Sequence, residues 1–127
     1  MGNIEIDVSF VPEKLKAFTK NEVQMNIAVK NSGTEIYWSE CDVVLSSPLS
    51  LSHDSELNSG RTRIGILKPG QALNRQVKLY TRPNNYPDDY KFSIIAYLYD
   101  GDGAVAERLE KKLSIPCAAE EKPMQDK

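Results

Sequence analysis

A chain of 127 residues has the length of one ordinary domain, which excludes a second independent core. Its residues are 40% hydrophobic and 27% charged, a balance that supports a buried core and excludes an intrinsically disordered chain. The formal net charge is −2 with both signs scattered and no basic stripe, which excludes a surface built for a polyphosphate backbone.

The N-terminal Met1-Gly2-Asn3-Ile4 lacks the basic and apolar regions of a signal peptide. Ile6 stands at the sixth position, where myristoylation requires Ser or Thr. No stretch approaches the length of a membrane-spanning helix. Two readings stay open: a soluble, untargeted chain, or a mature secreted domain that has lost its leader.

Period-two alternation then dominates. Ile4, Ile6, Val8 and Phe10 share one face of a first strand, which Pro12 closes by removing a ladder donor. Val23, Met25, Ile27 and Val29 form the next stripe. It ends at the turn Asn31-Ser32-Gly33-Thr34, where Gly33 can take a positive φ at little cost. Ile36-Tyr37-Trp38 and Val43-Val44-Leu45 read as one bent strand with a bulge near Ser39-Glu40, stopped by Pro48. Leu49, Leu51 and Leu57 flank a polar connection, read as a short edge strand and loop. Ile64 and Ile66 follow, then the turn Leu67-Lys68-Pro69-Gly70-Gln71.

Leu73, Val77 and Leu79 mark a further strand with Arg75 off the pattern, and residues 82–89 are loop by composition. Phe92, Ile94, Ala96 and Leu98 are the strongest inward stripe, and Asp100-Gly101-Asp102-Gly103 is a hairpin turn. Val105, Leu109, Leu113 and Ile115 build a final strand up to Pro116. Ala106, Leu109, Glu110 and Leu113 also fit a helix over 104–113, but the turn before and the Leu-Ser-Ile-Pro after favour a hairpin partner. The sandwich domain is thus placed at residues 3–116, and residues 117–127 are expected to form a disordered tail.

Seven or eight short strands with turns about every ten residues predict two sheets packed face to face. The fold class read from this order is all-β: an immunoglobulin-like, two-sheet antiparallel β-sandwich. Tyr90, two residues before Phe92 and just after a Pro-Asp-Asp turn, stands where that fold places its tyrosine corner. Phe92 then takes the place of the second core cysteine of antibody domains. Met25 or Ile27 takes that of the first, and Trp38 that of the core tryptophan.

Three segments carry a family resemblance: Val29-Lys30-Asn31-Ser32-Gly33-Thr34, Leu67-Lys68-Pro69-Gly70-Gln71, and Tyr90 leading to Ile94-Ile95-Ala96 and Asp100. In order and spacing they resemble the CARDB-type immunoglobulin-like modules (cell adhesion related domain found in bacteria) and their archaeal relatives, over residues 4–115. The resemblance implies a seven-stranded sandwich in a surface or secreted protein, acting in adhesion, spacing or carbohydrate association. Residues 46–63 are long for that pattern, and Lys111-Lys112-Leu113-Ser114 replaces the usual Asn-rich end of its last strand. A weaker similarity is to intracellular proteinase inhibitors of the BsuPI type, which implies a protease-inhibitor-like binder acting through an exposed loop such as 82–89 or 53–61.

Catalytic chemistry is sparse. His53, the single histidine, sits in a loop beside Asp54 and Ser55 with nothing to orient it as a base, so no catalytic residue is assigned and the chain is read as no enzyme. One histidine and the distant Cys41 and Cys117 fall short of a zinc ligand set. Asp100 and Asp102 fail the calcium-loop spacing, and a site joining them to Asp88 and Asp89 requires those turns to meet. No cofactor is expected. A Cys41–Cys117 disulfide is left open, since pairing needs geometry.

The outward side of the strongest strand has more to offer. If Phe92, Ile94, Ala96 and Leu98 point inward, Ile95, Tyr97 and Tyr99 point outward, with Arg108, Glu110 and Lys112 beside them on the last strand. Either the long stems of the last strand cover the tyrosines or the face is sticky. Ile95, Tyr97, Tyr99, Arg108 and Lys112 are accordingly the candidate interaction face. A protein or carbohydrate partner and weak self-association are expected there, without nucleic acid or a membrane span.

Overall fold

The computed structural model describes residues 3–83 and 85–119. Alternating side chains become strands wherever one face can be buried, and among the described residues eight form: β1 (Ile4–Val11), β2 (Leu15–Lys16), β3 (Asn21–Asn31), β4 (Tyr37–Leu45), β5 (Ser59–Leu67), β6 (Ala72–Thr81), β7 (Asp88–Tyr99) and β8 (Val105–Ala118). They build a three-stranded sheet, β1-β3-β6, against a five-stranded sheet, β2-β8-β7-β4-β5. The two sheets form an all-β, immunoglobulin-like sandwich. Every ladder is antiparallel except the two-residue pairing of β2 with β8.

The core follows the expected stripes. Val23, Met25, Ile27 and Val29 on β3 are fully buried, as are Ile94, Ala96 and Leu98 on β7. The bulge expected in β4 lies instead on β5, where Ile64 is the extra residue opposite Ser39 and Glu40, while β4 pairs with β7 without interruption. The Lys68–Gln71 turn has Gly70 at φ 78° and a Gln71 N–H to Lys68 carbonyl bond of 3.0 Å, the geometry that demands glycine in its third place. The tyrosine corner is present: the Tyr90 hydroxyl donates to the Tyr86 carbonyl. Tyr90→Phe keeps the ring and removes that bond, so a loss of about 1 kcal/mol is expected. Urea unfolding checks it, as a lower midpoint at unchanged slope.

Several expectations are corrected. Trp38 is not a core residue; it is 37% exposed, because the residues of β4 that face inward are Ser39, Cys41, Val43 and Leu45. Gly33 does not adopt a positive φ. Its turn is drawn in by the Asn31 side chain, whose Oδ1 accepts from the Gly33 N–H at 2.9 Å. Glycine is needed there for a different reason, since a Cβ would lie 2.9 Å from the Asn3 Cβ.

The 104–113 window is strand, held by β7 along its length. The short edge strand near Leu49 and Leu51 reduces to a single bridge, Ser50 to Tyr80. β8 continues past Pro116 through Cys117 and Ala118, because β2 pairs with those two residues. Residues 120–127 of the expected tail lie outside the described residues.

Cys41 and Cys117 are both free and buried. Cys41 pairs with Ala96 and Cys117 with Asp88, eight residues apart along β7. That separation is roughly 27 Å at about 3.3 Å per residue, far beyond disulfide reach. Burial, then the neighbouring Asp42 carboxylate, pushes the Cys41 thiol up to about 12, so it stays protonated and unreactive near neutral pH.

Candidate functional site

The ladder pairings place the five-stranded sheet's outward side chains in rows. Directly paired residues share a face. One row runs Glu110–Ile95–Asp42–Arg61 across β8, β7, β4 and β5, and the next runs Arg108–Tyr97–Glu40–Arg63. Beyond it lies Val105–Tyr99–Trp38–Ile66, four apolar side chains from four strands. The row spans about 15 Å at strand spacing.

Two β-bulges create that apolar row. Strict alternation would keep Ile64 and Ile66 on one side of β5. The bulge opposite Ser39/Glu40, with Gly65 at φ 121°, instead sends Ile64 into the core and Ile66 outward at 53% exposure. A second irregularity between Leu98 and Tyr99 leaves Ala106 as the extra residue of β8 and turns Val105 to the outer face. Bulges re-aim side chains in this way near sheet ends and functional surfaces.

The five residues singled out from sequence, Ile95, Tyr97, Tyr99, Arg108 and Lys112, all lie on this outer face. The structure does not bring them into one cluster. Tyr97 is the covered member: the Arg61 guanidinium lies 5.0 Å from its ring centroid and that of Arg108 5.9 Å. Arg61 is held in place by Asp42, with Nε and Nη2 at 2.6 and 3.1 Å from the two carboxylate oxygens, and reaches Glu40 at 3.3 Å. These hydrogen bonds, with Asp42 foremost, raise its already high basicity.

Tyr99 stacks beside Tyr97, ring centroids 6.5 Å apart, at the border of the apolar row. Lys112 sits beyond Ile95, beside Ser93. Ile66 and Val105 were missed because their orientation depends on bulge positions, and Trp38 because the Ser39–Leu45 stripe takes the core side of β4. The aromatic Trp38 next to the charged Glu40 and Asp42 was the one signal available in the chain.

Other candidates disperse. His53 packs edge-on against Tyr80 at 5.9 Å, while Ser52 donates to Asp54 at 2.7 Å and lowers that carboxyl's pKa, so no serine–histidine relay forms. Asp88 and Asp89 open β7, whereas Asp100 and Asp102 follow its other end, so those turns do not meet. Asp100 Oδ1 instead accepts from the Asp102 and Ala104 N–H groups at 2.9 and 3.0 Å.

The loops named for an inhibitor-like role are anchored in part. Asn85 is buried, its carbonyl accepts from Phe18, and its amide donates to the Lys16 carbonyl at 2.7 Å. Of residues 53–61, the last three belong to β5. No helix among the described residues is long and apolar enough to cross a membrane.

No protein-family model matches the chain, and no curated protein does. Solved structures do. The chain is similar to AvmM, described as catalysing macrocyclization in alchivemycin A biosynthesis, at a TM-score of 0.62 and 10% identity over 98% of this chain and 94% of that one. It is also similar to a FixG-related protein from Vibrio parahaemolyticus, at a TM-score of 0.51 and 16% identity over 92% and 98% of the two chains. At these identities the likeness concerns the fold alone.

Proposed function

We propose that this chain is a non-enzymatic interaction module that grips a protein partner with the outer face of its five-stranded sheet. The observation that carries the reading is the exposed row Val105–Tyr99–Trp38–Ile66, set beside the Arg108–Tyr97–Glu40–Arg63 row. Contiguous exposed apolar side chains rimmed by charge favour protein contact, and Trp, Tyr and Arg are the side chains that dominate such interfaces. The cation–π packing of Arg61 and Arg108 pre-orders part of the surface, which reduces the entropy lost on binding. A surface or secreted setting is the expectation that accompanies the CARDB-like resemblance.

The test compares affinity capture by the wild-type chain, by Trp38→Glu with Ile66→Glu, and by Lys78→Glu on the opposite sheet, each first checked for fold by circular dichroism. Recovery of a specific protein should fall at least about tenfold with the double variant and stay unchanged with Lys78→Glu. Equal recovery by all three removes the reading. A glycan-array signal abolished by Trp38→Glu, without a protein partner, would reassign the face to sugars.

A further inference from the structure

Along one side β8 is bonded to β7 from Val105 to Cys117, but along the other it meets only β2, at Cys117 and Ala118. Among the described residues its edge from Val105 to Pro116 is therefore unpaired. The Ala118 carbonyl faces β2, where it accepts from the Ala17 N–H at 3.0 Å. Strand alternation then turns the N–H and C=O groups of Arg108, Glu110, Lys112 and Ser114 to the open side. Pro116 falls in the same register, where its missing N–H costs no ladder bond.

The side chains along this edge carry a charge pattern that reverses sign about Leu109, Glu107-Arg108-Leu109-Glu110-Lys111. Glu107, Leu109 and Lys111 are half-buried on the inner side, and Arg108 and Glu110 lie on the outer face. The Lys111 ammonium reaches only a neutral group, the Ile6 carbonyl at 2.9 Å. Among the described residues neither Glu107 nor Lys111 has a salt-bridge partner.

We propose that the free edge of β8 pairs antiparallel with β8 of a second copy of this chain, about a two-fold axis at Leu109. In that register Glu107 lies opposite Lys111 of the second copy on the inner side. Arg108 lies opposite Glu110 on the outer side, and the symmetry repeats both pairs. Arg108 and Glu110 of the two chains exchange backbone hydrogen bonds, and Lys111 trades a neutral carbonyl for a carboxylate.

Neighbouring registers that keep inner side chains on one side are penalised. Centring on Arg108 or Glu110 sets like charges against each other on the axis, and centring on Lys111 does the same. Basic edge residues ordinarily guard against such pairing; here the Leu109-centred register sets every charged residue from Glu107 to Lys111 against an opposite charge, whereas a Leu113-centred one leaves Lys111 and Lys112 facing neutral Ile115 and Ser114. The footprint ends well short of Cys117, so β2 does not obstruct it. The two five-stranded sheets would join into one of ten strands, presenting two outer faces side by side.

Sedimentation equilibrium from micromolar to about 1 mM loading tests this. The wild-type chain should show a reversible monomer–dimer equilibrium. Lys111→Glu alone and Glu107→Lys alone should each weaken it at least about tenfold, while an equimolar mixture of the two associates and the double variant Glu107→Lys/Lys111→Glu dimerises again. Should an inner-side variant misfold, Arg108→Glu and Glu110→Arg, on the solvent-facing side, follow the same logic of loss alone and recovery together. A wild-type chain that is monomeric throughout, or a dimer indifferent to these reversals, overturns the proposal.

Discussion

Phe92→Ala should destabilise the protein by about 3–5 kcal/mol, the range for truncating a buried aromatic ring. Phe92 is 3% exposed and lies between Leu45 of β4 and Leu113 of β8 in the ladder. Its ring meets that of Phe10, on the other sheet, edge-on at 6.0 Å. Removing it opens a cavity between the sheets that neither flanking strand can close without breaking ladder bonds. Domains of this kind have about 5–15 kcal/mol in total, so the variant should lose a large share of its stability. Urea unfolding with unchanged slope measures it. Val44→Ala, on the outer side of the adjacent strand at 41% exposure, should cost less than about 0.5 kcal/mol. Similar costs for the two variants would show that the sheets do not pack as described.

The second large effect is expected at Asn31, a polar side chain with no exposure at all. Its Nδ2 donates to the Glu35 carbonyl at 2.7 Å and the Leu67 carbonyl at 3.2 Å, while its Oδ1 accepts from Gly33. Asn31→Leu is close in volume but removes three bonds to backbone groups and strands the buried Leu67 carbonyl, which should cost about 2–4 kcal/mol. Because Glu35 and Leu67 flank the start of β4 and the end of β5, loosening them also loosens Trp38 and Ile66. Faster hydrogen exchange at Gly33 should accompany the loss of stability, and partner capture should weaken in parallel. A variant with wild-type stability would mean that these bonds contribute nothing net.

The apolar row and the β8 edge meet at Val105, but the other members of the row lie on β7, β4 and β5. Paired edges would bring two copies of the row into one plane, and a partner with two matching sites would then bind with an effective-concentration advantage. Neither surface needs the other, so the charge reversals at Glu107 and Lys111 should leave monomer capture by the Trp38 row intact.

Much of the sandwich was legible in the chain because burial on one face of a strand imposes a period of two. The stripes at Val23–Val29 and Phe92–Leu98 announce themselves without knowledge of any partner. The Pro-Gly turn and the Tyr90 corner are equally local, since each depends on a few consecutive residues.

What only the tertiary structure decided is which side the off-pattern residues take. Trp38 turns outward because the Ser39–Leu45 stripe claims the core; Ile66 and Val105 do so because bulges on neighbouring strands reset the alternation by one residue. A bulge is a property of two strands in register, and register depends on contacts distant in sequence. The sign-reversing charge pattern about Leu109 stands in the sequence, but only the sheet order, with β2 covering just the last two residues of β8, shows that this edge is free among the described residues.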